Sequence, residues 1–222
     1  MTTSPAVPSG AAGDGPSISD EAAPRPVVRS EVLHRGRIVD LVRDDVDLGA
    51  AGTVTREYVV HPGAVAIVAL DDHDRVLLLR QYRHPVRSRL WEVPAGLLDV
   101  DGEPPVLAAA RELAEEADAT AEQWHVLADF ASSPGSSDEA VRVFLARGLG
   151  EVPVGSRHTR TGEEAGIEVR WVPLDEAVAR VLDGSLHNPS AVVGVLAAAA
   201  SRSGGWSSLR PADAPWPSRP GV

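Results

Sequence analysis

The chain predicts an α+β fold in which a mixed sheet is flanked by helices. Strand-like runs outnumber helical ones, and they cluster around a few helices without the strict β-α-β alternation of a parallel sheet. Aromatic residues make up only 4% of the chain against 43% hydrophobic residues, so aliphatic side chains must fill the core.

The elements follow in order. Residues 1–28, dominated by Ser, Thr, Pro, Ala and Gly without periodicity, are expected as a disordered tail. Residues 29–60 contain "RIVDLVRDDVDL" (37–48) and "VTREYVV" (54–60) and are expected as an N-terminal antiparallel strand extension. The body, 61–203, opens with "AVAIVAL" (64–70) and "RVLLLRQYR" (75–83), two apolar runs joined by the turn "DDHD". A helical pattern covers about 104–117. Strands follow at "WHVLADF" (124–130), "AVRVFLARGL" (140–149) and "GIEVRWVPL" (166–174). Two more helices are expected. One spans 174–183 and starts near Asp175; the other spans 189–202, with Asn188 as cap before Pro189. Residues 204–222 are Pro/Gly-rich and read as a tail, in which Trp206 and Trp216 can dock on the body.

Composition excludes several function classes. A formal charge of -11 repels nucleic acid and anionic membranes, so neither is expected as a partner. Without cysteine there are no disulfides, zinc-thiolate sites or thiol nucleophiles. No signal peptide is evident, and runs such as "AVVGVLAAAA" fall far short of a membrane span, so a cytoplasmic protein is expected. Every one of the 21 basic residues is Arg, whose planar fork suits bidentate phosphate contacts.

The chemistry concentrates in "WEVPAGLLDVDGEPPVLAAARELAEEAD" (91–118). On a helical wheel Glu112, Glu115 and Glu116 share one arc. Val106, Leu107, Ala110, Leu113, Ala114 and Ala117 lie opposite and are expected to pack inward. Such a carboxylate face is either simply solvated or holds a hard divalent cation. The mutual repulsion of three like charges, relieved only by Arg111, favours the cation.

This stretch resembles the box of the Nudix hydrolases, Gly…Glu…Arg-Glu-aliphatic-x-Glu-Glu-x-Gly. Gly96 matches the opening Gly and Glu103 the isolated Glu, while Arg111, Glu112, Leu113, Glu115 and Glu116 match the core. It departs from the pattern twice. Six residues separate Gly96 from Glu103 where the box has five, and Asp118 replaces the closing Gly. A modest cost is expected from Asp118, since Asp tolerates a left-handed cap better than most residues.

The resemblance implies a Nudix fold, an α/β/α sandwich whose box forms a loop-helix-loop. It also implies hydrolysis of a nucleoside diphosphate linked to another moiety, assisted by Mg²⁺ or Mn²⁺. The metal ligands it implies are Glu112, Glu116, the nearby Glu115 and the Ala95 carbonyl, with Arg111 orienting the glutamates. Over most of 29–200 the chain resembles the ADP-ribose pyrophosphatase branch. The segments that carry this are "TREYVVHPGAVAIVAL", "RQYRHPVRSRLWEVPAG" and "SSPGSSDEA", with Pro134 fifteen residues beyond Ala119. That branch implies ADP-ribose as substrate, a homodimer that exchanges N-terminal strands, and ligand contacts from Arg56, Glu57, Arg83, Glu92, Leu97, Pro134, Asp138 and Glu139.

It further implies a water-positioning Glu on a loop before a late strand, which "GEEAG" supplies as Glu164, with Glu163 as substitute. Structural readings stand beside these. The cluster Arg80, Arg83, Arg87 and Arg89 also suits a charged edge strand, Glu92 an internal ion pair, "SPGSSDE" a plain turn, and "GEEAG" a solvated loop. His61 and His84 receive no role. Two rivals remain: a Nudix hydrolase of a nucleotide sugar, dinucleotide or oxidised nucleotide, and a non-catalytic module that binds ADP-ribose.

Overall fold

The computed structural model describes residues 18–160 and 166–219. Its strands are β1 (Val27–Arg35), β2 (Asp40–Asp47), β3 (Thr53–Val60), β4 (Ala64–Ala69), β5 (Arg75–Arg83), β6 (Ser88–Glu92), β7 (Ala95–Leu97), β8 (Ala119–Ala131), β9 (Ala140–Glu151), β10 (Glu168–Pro173) and β11 (Arg210–Pro211). Its α-helices are α1 (Pro105–Ala117), α2 (Leu174–Leu182) and α3 (Pro189–Ser203). The strands form three sheets, β1-β2-β3, β10-β5-β6 and β11-β8-β9-β4-β7. The last is mixed: β4 runs parallel to β9 and antiparallel to β7.

Period-2 alternation builds the sandwich. Ala66, Val68, Val143 and Leu145 point to one side, where Leu174 and Ala177 of α2 and Ala191, Val195 and Ala198 of α3 cover them. Val65, Ile67, Phe144 and Val126 point to the other side and meet Ala108, Ala109 and Leu113 of α1. Because β4 is buried on both faces, its sequence is an unbroken apolar run. Gly194 lets α3 approach closely, since a Cβ there would lie 2.7 Å from Val68 Cγ2.

Three expectations need revision. α1 is turned relative to the predicted inward arc: Ala108, Ala109, Leu113 and Glu116 are buried, while Leu107 is 56% exposed. Leu113 is buried and Val106 and Ala117 pack on the core as expected, and Glu116 joins them because β7 covers it. The strand β1, which begins at Val27, and the short β6 and β7 were absent from the predicted elements. The C-terminal segment is less a tail than expected, and the docking foreseen for Trp206 and Trp216 is present. β11 pairs with β8, Arg147 stacks 5.2 Å over Trp206, and Arg142 stacks 4.7 Å over Trp216. The first sheet exposes Val27, Val28 and Val32, and Ile38 is exposed in the turn between β1 and β2. Among the described residues no helix is long and apolar enough to cross a membrane.

Candidate active site

β7 pairs with β4 so that Val65 stands opposite Gly96 and Ala66 opposite Ala95. That places the backbone of 95–97 directly against α1. Gly96 is required by contact: a Cβ on it would sit 2.0 Å from Glu112 Cδ. One turn on, Glu116 is 7% exposed and its Oε2 accepts the Ala95 N–H at 3.0 Å. Buried carboxylates are costly unless hydrogen-bonded or paired, and this contact answers part of that cost.

Arg111 organises the remaining acids. It donates to Glu103 at 3.2 and 3.0 Å and to Glu112 at 2.6 Å, and its Nη1 lies 3.5 Å from Glu115. Hydrogen bonds from Arg111 hold the Glu103 carboxyl below the usual range, and those to Glu103 raise the Arg111 guanidinium above its own. A lowered folded value means the contact stabilises above the ordinary glutamate value of 4.5 and is lost as acid protonates Glu103. Stability is therefore expected to fall on acidification below about pH 4.5, with a smaller fall in Glu103→Gln; urea titrations across that interval check it.

Among the described residues no three His, Asp or Glu side chains gather in a metal-holding cluster. As placed, Glu112 and Glu115 face Arg111 and Glu116 faces the Ala95 amide, so the implied ligands adjoin one another without converging. Their chemistry nonetheless fits a hard divalent cation. The donors are carboxylate oxygens and a backbone carbonyl, and the bare Gly96 keeps space for Glu112.

Beside this wall lies a cavity of about 610 Å³, bounded by Ala95, Gly96, Leu97, Arg83, Glu92, Glu139, His61 and the start of α3 at Asn188. Arg83 forks onto Glu92 at 2.9 and 2.7 Å, and Glu92 is 2% exposed.

A family model described as the NUDIX domain matches residues 60–191, more than half of the chain. The chain belongs to the Nudix family. It is 51% identical over 193 residues to the ADP-ribose pyrophosphatase of Mycobacterium tuberculosis, covering 87% of this chain and 91% of that protein. It is 35% identical over 170 residues to the methanol dehydrogenase activator of Bacillus methanolicus, covering 76% and 89%. A crystal structure of an ADP compounds hydrolase superposes with a TM-score of 0.68 over 84% of this chain and 98% of that one, at 22% identity. That likeness shows the Nudix fold.

Both departures from the Nudix box are absorbed locally. The longer loop turns at Val100–Glu103, where Glu103 N–H donates to the Val100 carbonyl and Gly102 takes φ 74°. Asp118 adopts φ 51° and caps α1, its N–H donating to the Ala114 carbonyl. Arg160 then bridges the helix end, donating to Asp118 Oδ2 at 2.6 Å and to the Glu115 carbonyl at 3.0 Å.

The other candidate residues divide. Arg83, Leu97, Glu92 and Glu139 reach the cavity, Glu92 with its carboxylate committed to Arg83. Asp138 sits behind it, accepting the His61 N–H at 2.8 Å. Pro134 lies in an exposed turn. Arg56 and Glu57 are exposed on β3, away from this chain's cavity; Glu57 takes Arg43 at 2.6 Å and Arg56 donates to the Thr55 carbonyl. Of the arginine cluster only Arg83 lines the cavity: Arg80 stacks on Trp91, and Arg87 and Arg89 are exposed. Glu163 and Glu164 lie outside the described residues. His61 was unassigned from sequence yet lines the cavity; a histidine in the short link "HPG" between two strands was the available signal.

Close contact at position 96 makes a sharp prediction. Gly96→Ala forces Glu112 off its place, and a displacement near 1 Å is worth about a hundredfold in rate. Turnover is expected to fall by about that factor with cooperative unfolding retained, as steady-state kinetics and circular dichroism will show.

Proposed function

We propose that this Nudix protein is a pyrophosphatase that hydrolyses ADP-ribose to AMP and ribose 5-phosphate with Mg²⁺, or Mn²⁺, as cofactor. The observation that carries the substrate is the 51% identity to an ADP-ribose pyrophosphatase across 91% of that relative. Glu112, Glu115, Glu116 and the Ala95 carbonyl would hold the cation. When bound, such an ion lowers the pKa of water and offsets phosphate charge.

The chain's own residues supply the rest. Arg83, aimed by buried Glu92, offers a charge-assisted fork to the diphosphate at the cavity wall. Glu139 presents a carboxylate to substrate hydroxyls. Arg111 keeps the acids of α1 aligned until substrate arrives. Glu164, or Glu163 in its place, takes the proton of the attacking water as the new P–O bond forms and the bridging P–O bond breaks.

The proposal includes a homodimer formed through β1–β3, supported by the exposed Val27, Val28, Val32 and Ile38. Arg56 and Glu57, remote from their own cavity, would then serve the partner's. Sedimentation equilibrium tests the dimer.

The deciding experiment is hydrolysis of ADP-ribose with Mg²⁺ in ¹⁸O-labelled water, which reports activity, products and the attacked phosphorus together. A hundredfold preference for a nucleotide sugar, dinucleotide or oxidised nucleotide in parallel assays would overturn the substrate. The relative named as a methanol dehydrogenase activator supports a second reading, a regulatory module. Metal-dependent release of AMP excludes a purely non-catalytic role.

A further inference from the structure

The link between β3 and β4 ties three parts of the site together. Val59 N–H donates to the Ser136 carbonyl, and Asp138 N–H returns to the Val59 carbonyl. His61 N–H holds the Asp138 carboxylate at 2.8 Å. Gly63 carbonyl accepts Leu98 N–H at 3.0 Å, joining the link to the Nudix loop. At its centre the His61 ring, 13% exposed, borders the cavity.

The tautomer of that ring follows from one contact. Gly63 N–H points at His61 Nδ1, 3.1 Å away. A backbone amide only donates, so Nδ1 must be the acceptor and the proton sits on Nε2. Nε2 faces Glu139 Oε1 at 3.6 Å, just outside hydrogen-bond range. The other oxygen of Glu139 accepts the Ser132 hydroxyl, and its backbone N–H donates to Ser137 Oγ at 3.1 Å. Glu139 is thus bracketed from both sides at the cavity wall.

We propose that His61, neutral and protonated at Nε2, is a positioning residue that orients the Glu139 carboxylate toward sugar hydroxyls of the substrate. This rests on the reading above that the cavity takes ADP-ribose. His61 acts through Glu139 and Asp138, with no part in the bond-breaking step.

Two substitutions separate the ring's two nitrogens. Gln offers an amide at the reach of Nε2, so His61→Gln keeps a donor for Glu139. Asn offers an oxygen at the position of Nδ1, so His61→Asn keeps only the acceptor for Gly63. His61→Asn is expected to raise KM for ADP-ribose about tenfold, the worth of the charge-assisted hydrogen bond to which the 3.6 Å pair closes once substrate is bound, with kcat within about twofold. His61→Gln is expected to stay within about threefold in both. In a Glu139→Gln background His61→Asn should add nothing, because its effect runs through that carboxylate. Independent, multiplying effects, or an unchanged KM in His61→Asn, would overturn the proposal.

A substrate-free readout comes from long-range ¹H–¹⁵N spectra of the unsubstituted protein. They should show His61 protonated at Nε2, with that resonance displaced in Glu139→Gln. An Nδ1-protonated ring overturns the proposal whatever the substrate. Absence of ADP-ribose hydrolysis by the unsubstituted protein would sink the substrate reading alone, and the spectra would still decide the role of His61.

Discussion

Glu116→Gln is expected to abolish hydrolysis of ADP-ribose, by about a thousandfold or more, while the protein still folds and still binds the nucleotide. The change replaces one oxygen by an amide of nearly the same volume. Its carbonyl can keep accepting the Ala95 N–H that now reaches Oε2 at 3.0 Å, so the contact between helix and β7 survives. What disappears is negative charge at the most buried carboxylate of α1. If that charge holds the cation that offsets phosphate charge, several kcal/mol of stabilisation go with it, and each 1.36 kcal/mol is a factor of ten in rate. Initial rates in Mg²⁺, isothermal titration with ADP-ribose and a thermal melt check the three parts. A rate within about tenfold of the unsubstituted enzyme would show that Glu116 serves the fold and leave the metal role to Glu112 and Glu115.

Glu116 also shows what the sequence could and could not say. The spacing of Glu112, Glu115 and Glu116 was legible because helix geometry is local, and α1 covers nearly the expected span of about 104–117 and ends in the left-handed cap at Asp118. The buried face was legible in part: Leu113 is buried and Val106 and Ala117 pack on the core as expected, but Leu107 and Glu116 are exchanged. An apolar-inside rule sends Leu107 in and Glu116 out, whereas Ala108 and Ala109 join Leu113 on the inner surface and are small enough to bring Glu116 against β7. β7 itself is three residues long and carries no period to read.

Core strands gave the clearest signal. The run at 64–70 is apolar on both faces because helices cover both. Contacts between distant parts of the chain were beyond reach. An internal ion pair was one reading of Glu92, but that its partner is Arg83, and that Arg56 points away from the cavity, depends on strand register between β5 and β6 and between β2 and β3. His61 gains meaning only through Glu139, far along the chain.

The C-terminal segment, whose tryptophans were legible as docking residues but whose partners were not, yields the strongest expectation for stability. Arg142 is 2% exposed on β9. It forks onto Asp129 of β8 at 2.8 and 3.1 Å, donates to the Ala214 and Pro215 carbonyls at 2.6 and 3.0 Å, and lies 4.7 Å over the Trp216 ring. Arg210 reaches the same Asp129 at 2.9 Å. One buried guanidinium therefore joins two strands to the segment around Ala214–Trp216, which also borders a cavity with Pro104, Pro105 and Val106 at the start of α1.

Removing the cation leaves two carbonyls unmatched and Asp129 with Arg210 alone, and breaking a buried pair costs about 3–5 kcal/mol. Arg142→Ala is expected to lose that much in urea denaturation and about 6–20 °C in melting temperature, at about 2–4 °C per kcal/mol for a chain of this length. Removing both charges, in Arg142→Met with Asp129→Leu, should recover part of the loss, because no buried charge is then left unmatched. If the single substitution costs under about 1 kcal/mol, the value of an exposed ion pair, the segment is only laid on the surface. A loss of the predicted size would mean that residues composed like a linker are an integral layer of the domain and a support for the helix that bears its acids.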